Sequence, residues 1–85
     1  MKQDNDHTYT LILMVRNSPG VLVRCAQIFN RRGHNIEALH NTAIPDPSGT
    51  SRMTITAYGR SDAIQQITLQ LKKLADVIDV TERGE

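Results

Sequence analysis

Residues 8–16 (TYTLILMVR) place Tyr9, Leu11, Leu13 and Val15 on one side of an extended backbone and Thr10, Ile12 and Met14 on the other. Both sides are largely apolar, which predicts a central strand. Asn17-Ser18-Pro19-Gly20 breaks the strand and reads as a helix entry, with Ser18 as N-cap and Pro19 at the first helical position. Val21, Leu22, Cys25, Ile28 and Phe29 then fall at i, i+1, i+4, i+7 and i+8, one face of an α-helix. Arg24, Gln27, Asn30 and Arg31 lie off that face. Arg31 and Arg32 suit the negative end of the helix dipole, and Gly33 is a natural stop.

The second half repeats the idea. Residues 35–43 (NIEALHNTA) form a strand candidate of weaker alternation, suited to a sheet edge. Residues 44–50 (IPDPSGT) are a loop by composition. In 51–58 (SRMTITAY), Met53, Ile55 and Ala57 alternate with Arg52, Thr54, Thr56 and Tyr58, which predicts a strand with one buried and one wetter face, ended by Gly59. Ser61 or Asp62 caps a second helix carrying Ile64, Ile67, Leu71 and Leu74 at helical spacing, with Lys72 and Lys73 in its last turn. Residues 77–81 (VIDVT) close the chain as a short strand. The order β-α-β-β-α-β is the ferredoxin-like split arrangement of the α+β class. Right-handed crossovers place both helices on one face of a four-stranded antiparallel sheet. The expected limits are a polar tail at 1–7, one domain over 8–81 and a short tail at 82–85.

Length agrees with a single unit: 85 residues divided in two would leave pieces that rarely fold without disulfides or metals. The one cysteine, Cys25, allows no internal disulfide, and a net charge of +1 gives no strong pull toward nucleic acid or a membrane. The polar, mixed-charge start is unlike a signal or transit segment, so a soluble cytoplasmic domain is expected. A chain this small, with one open sheet face, gains by burying more apolar area in an oligomer.

Little in the chain suggests catalysis. Cys25 sits on the apolar stripe of the first helix, where a cysteine acts as a small core residue. His7, His34 and His40 lack ligand spacing, Glu37 and Asp46 form no evident acid/base pair, and no phosphate-binding or nucleophile motif is present. RNA-binding domains share the element order, but the strand SRMTITAY lacks their stacking aromatics. The metal-chaperone version of the fold needs a cysteine pair that Cys25 alone cannot supply. What remains is the turn at residues 17–20. Free N–H groups at a helix start favour an anion such as an amino-acid carboxylate. Gly20 lets a ligand approach the backbone, and Asn17 adds an amide that donates and accepts. The same residues also make a good turn and nothing more, and the pattern alone does not separate the two readings.

Three segments carry a resemblance that covers nearly the whole chain: VRNSPGVLVRCAQIFNRRGHNIEAL at 15–39, SRMTITAYG at 51–59 and QLKKLADVIDV at 70–80. With N-x-x-G before the helix, R-G-x-N-I-E after it and S-R-M-T-I in the third strand, the chain resembles the ACT domain of the small, regulatory subunit of acetolactate synthase. The resemblance implies a non-catalytic subunit with no cofactor of its own. The large subunit it serves is expected to carry thiamine diphosphate, magnesium and FAD. It implies activation of that subunit and feedback inhibition in branched-chain amino-acid biosynthesis, with valine the leading effector. It also implies a homodimer in which two ACT domains join edge to edge. The effector then sits between the turn of one protomer (Asn17, Gly20, Val21) and the second strand of the other (Asn35, Ile36). Many members carry a further C-terminal domain; this chain, ending at Glu85, resembles the short bacterial subunits or an ACT-only fragment. His34 stands where relatives often have an aromatic or another residue. A stand-alone ACT sensor for another enzyme, and a ligand-free interaction module using the open sheet face, are the alternatives.

Overall fold

A computed structural model describes residues 6–45 and 49–83. Residues 1–5 of the expected tail at 1–7, residues 84–85 of the expected tail at 82–85, and 46–48 of the expected loop at 44–50, with Asp46, lie outside the described residues. The elements are β1 (Asp6–Arg16), α1 (Val21–Arg31), β2 (Asn35–Ala43), β3 (Thr50–Arg60), a 3₁₀ turn (Ser61–Ala63), α2 (Ile64–Lys72) and β4 (Val77–Glu82). The four strands form one antiparallel sheet in the order β2-β3-β1-β4. This is the ferredoxin-like arrangement expected above.

The alternation in β1 and β3 decides which face is covered. Tyr9, Leu11, Leu13 and Val15 face the same side as Met53, Ile55 and Ala57, and all seven are buried. They are roofed by Val21, Cys25, Ile28 and Phe29 from α1 and by Ile64, Ile67 and Leu71 from α2. Cys25 is fully enclosed, and burial pushes its thiol up to about 11 against the opposing pull of Arg24, so it is a packing residue. The other face, with Thr10, Ile12, Met14, Thr54, Thr56 and Tyr58, is half-buried by strand neighbours. Thr10 and Thr56 hydroxyls bond across the sheet at 3.1 Å. β2 is an edge, and its Ile36 and Leu39 are only partly covered where they meet the core.

Several boundaries differ from the expectation. β1 begins at Asp6, so His7 pairs with Gly59 and is not part of a tail, and β4 includes Glu82. β3 continues through Gly59 to Arg60. Gly59 is a strand residue without a side chain because the His34 ring occupies the place where its Cβ would stand. α2 starts from the 3₁₀ turn without a side-chain cap. Asp62 instead accepts from Arg60 at 2.7 and 3.0 Å, and that bond holds its carboxyl below the usual range.

Candidate functional site

The turn after β1 is built almost wholly from backbone. Arg16 N–H donates to Asp76 O and Asn17 N–H to Gly49 O, each at 2.7 Å, tying the turn to both neighbouring loops. Ser18 is not the side-chain cap expected from the sequence. Its carbonyl accepts the Val21 N–H at 3.3 Å, while its Oγ is enclosed without a partner among the described residues. The N-cap is Gly20, at φ +81°, a left-handed conformation that side chains resist, and Pro19 stands before it, outside the helix. Local capping preference yields here to the sharp reversal that the chain makes.

The result is a helix start with available donors. The Val21 and Arg24 N–H groups are taken by Ser18 O and Gly20 O. The N–H groups of Leu22 and Val23 have no backbone acceptor among the described residues. No acidic residue stands in the first turn. Among the described residues no side chain caps the positive end of the α1 dipole. Arg24 adds a cation: its Nη1 would lie 3.0 Å from a Cβ at Gly20, and its Nη2 donates to Asp76 Oδ2 at 2.5 Å. The half-exposed ion pair contributes at most about 1 kcal/mol to stability. Its larger effect is to hold a guanidinium over the turn. The helical period marks Arg24 only as a residue off the apolar face. Its place four residues after Gly20, one helical turn on, was the signal available.

Of the expected effector residues, Asn17, Gly20 and Val21 meet at this turn. The Val21 side chain points into the core at 5% exposure, so Val21 offers the turn its backbone alone. Asn35 and Ile36 are elsewhere. They open β2 at the opposite end of the sheet, where Asn35 pairs with Tyr58 and Tyr58 with Thr8. From Thr8 to Asn17 the chain runs about 30 Å at 3.3 Å per residue. One chain does not bring the two groups together. Asn35 is exposed, and the ladder bulges at Glu37, between Ile36 and Ala38. Among the described residues no group of three His, Cys, Asp or Glu side chains is placed to hold a metal. No helix among them is long and apolar enough to cross a membrane. An open cleft of about 460 Å³ lined by His7, Ser61, Ile64, Gln65, Thr68 and Glu82 lies away from the turn, at the end of the sheet where β1 begins.

Comparison with known proteins gives the same frame. The family model for the AHAS small subunit-like ACT domain matches residues 11–79. The acetolactate synthase small subunit of Mycobacterium bovis is 44% identical over 78 residues, 92% of this chain and 46% of its own. The probable acetolactate synthase small subunit of Archaeoglobus fulgidus is 42% identical over 77 residues, 91% of this chain and 48% of its own. The crystal structure of the acetolactate synthase small subunit from Thermotoga maritima superposes with a TM-score of 0.76 at 36% identity, covering 89% of this chain and 47% of that one. The chain thus spans about half the length of the relatives it matches. With the matched segment running from within β1 into β4, the chain belongs to the AHAS small subunit-like ACT domain family.

Proposed function

We propose that this chain is the effector-binding module of an acetolactate synthase small subunit. In this reading it binds a branched-chain amino acid, valine foremost, activates a catalytic large subunit and makes it sensitive to feedback inhibition. The observation that carries the reading is that the turn at residues 17–21 and the β2 start at Asn35–Ile36 lie at opposite ends of a sheet of which β2 is an edge. An unpaired edge invites a second strand. If β2 pairs antiparallel with β2 of a second copy about its middle residue, Leu39, then Asn35 of one chain falls opposite Ala43 of the other. Ala43 pairs with Ser51, and Ser51 with Val15, two residues before the turn. Each two-fold dimer thereby joins the turn of one chain to the Asn35–Ile36 start of the other, twice. The partly covered Ile36 and Leu39 gain cover in the same step. The carboxylate of the amino acid meets the Leu22 and Val23 N–H groups under Arg24, and the Asn17 and Asn35 amides hold its polar end.

Valine is expected to stabilise the folded dimer. At about 100 times Kd the linkage amounts to roughly 2.7 kcal/mol, a rise in melting temperature of about 10 °C or more for a domain this size. Sedimentation should give a dimer at micromolar concentration. A strict monomer, with and without valine, overturns the shared site. The chain alone should form no acetolactate from pyruvate with thiamine diphosphate, magnesium and flavin supplied, whereas a cognate large subunit should gain activity and valine sensitivity on mixing. Stabilisation by a different amino acid, with no effect on the large subunit, would instead identify a sensor for another enzyme.

A further inference from the structure

One buried titratable group takes no part in the site described so far. His34 is 5% exposed, in the turn between α1 and β2, directly before Asn35. Its N–H donates to the Phe29 carbonyl at 3.0 Å, and the Tyr9 hydroxyl lies 2.7 Å from its Nδ1. The two rings meet edge to face with centroids 5.6 Å apart. On the β3 side the ring fills the space above Gly59, where any side chain would collide with it. Tyr9 keeps its proton, since burial, reinforced by the charge of Glu82, pushes its ionisation up. In the tautomer with its hydrogen on Nε2, the neutral ring accepts the Tyr9 hydroxyl proton at Nδ1. Nε2 is enclosed without a partner among the described residues, as is Oδ1 of Asp6.

From this packing we infer that His34 is a positioning residue: the neutral ring, locked between Tyr9 and Gly59, sets the backbone that presents Asn35 and Ile36, and its protonation releases that half of the effector site. The inference deepens the effector reading above and rests on it for its ligand arm. A proton on Nδ1 removes the acceptor of the Tyr9 hydroxyl and places a charge in an enclosed space. The charged groups that act on the ring are Asp6 from β1 and Asp62 from the 3₁₀ turn; Asp62 is itself paired with Arg60 of β3. His7 stands edge-on to Tyr9, Glu82 of β4 acts on Tyr9, and α1 contributes the Phe29 carbonyl that accepts the His34 N–H. Burial lowers the imidazole from its ordinary 6.5, outweighing the upward pulls of Asp6 and Asp62. A lowered folded value means the contribution is fully present above about 6.5 and is lost as pH falls through the folded value.

The test is a pH titration of the full chain by NMR, with far-UV circular dichroism showing that the sheet persists. The Asn35 and Ile36 amide resonances should move with the midpoint of the His34 ring, below 6.5, and should stay flat in His34→Phe. Tyr9→Phe, which keeps the ring packing and removes the donor to the neutral form, should raise the His34 midpoint. Amides that ignore the His34 titration, or an unmoved midpoint in Tyr9→Phe, overturn the inference. With valine as probe, affinity should fall about tenfold per pH unit below the midpoint, in proportion to the neutral fraction. The loss should be absent in His34→Phe. Equal valine affinity on both sides of the midpoint overturns the inference. Coupled amides in a chain that binds no valine at any pH support the positioning role and count against the effector reading alone.

Discussion

Gly20→Asp is expected to abolish the response to valine while the sheet remains folded. The backbone there holds φ +81°, so any side chain costs about 1–2 kcal/mol, with Asp among the more tolerant types. The new Cβ also approaches the Arg24 guanidinium at 3.0 Å, the flexible end of a half-exposed side chain that can move aside. The effect on binding is larger. The new carboxylate competes for the Leu22 and Val23 N–H groups and meets the ligand's own carboxylate at short range. Like charges so placed cost on the order of several kcal/mol, roughly a thousandfold or more in affinity. Gly20→Ala separates the two terms, because it adds the backbone strain without the charge. Asn35→Ala, at the other half-site, should cost about 1 kcal/mol, the net worth of one hydrogen bond. Calorimetric titration of folded variants decides the matter, and wild-type affinity in Gly20→Asp would move the anion site away from this turn.

Gly59→Ala is expected to give a large loss of stability from a single methyl group. The added Cβ falls on the His34 ring, well inside van der Waals contact. The ring has little freedom to retreat, with Tyr9 on Nδ1 and the adjoining backbone bonded to Phe29. Overpacking of this kind costs about 1–3 kcal/mol, and for a domain this size each kcal/mol lowers the melting temperature by about 4–8 °C. Urea denaturation of Gly59→Ala, His34→Ala and the double variant isolates the contact. Removal of the ring makes room for the methyl, so the double variant should be less destabilised than the two single losses added together. A Gly59→Ala protein within about 0.5 kcal/mol of wild type would show that the ring is not held as described.

Where the chain's own period set the geometry, the fold could be read directly. Leu11, Leu13 and Val15 alternate with Ile12 and Met14, and the first strand is central as that double apolar pattern implies. The weak alternation of residues 35–43 likewise matched an edge. Ser18 and Gly59 mark where such reading stops. Ser18 satisfies every local rule for a cap, yet Gly20 turns the chain before a serine side chain could reach the first N–H groups. Gly59 looks like a strand end because glycine ends strands locally; its reason is a ring brought against it from another part of the chain. The candidate site divides in the same way. The N-x-x-G pattern marks the sharp turn into α1 but does not by itself distinguish an anion site from a plain turn. That Asn35 and Ile36 lie a full strand length from it is a matter of register, which no spacing along the chain reveals.

If two chains pair through β2 as proposed, the placement of the turn and of Asn35 at opposite ends of the sheet has a genetic corollary. In a two-fold pair each site takes its turn from one chain and its strand start from the other. A chain damaged at Gly20 and a chain damaged at Asn35, brought together, therefore sort their defects unequally. One site collects both lesions and the other carries none. A Gly20→Asp allele and an allele with a lesion at Asn35–Ile36 severe enough to be effector-blind alone would complement when co-expressed, whereas two alleles damaged at the same half-site would not. Inheritance of the trait would then follow position along the strand rather than severity of the lesion.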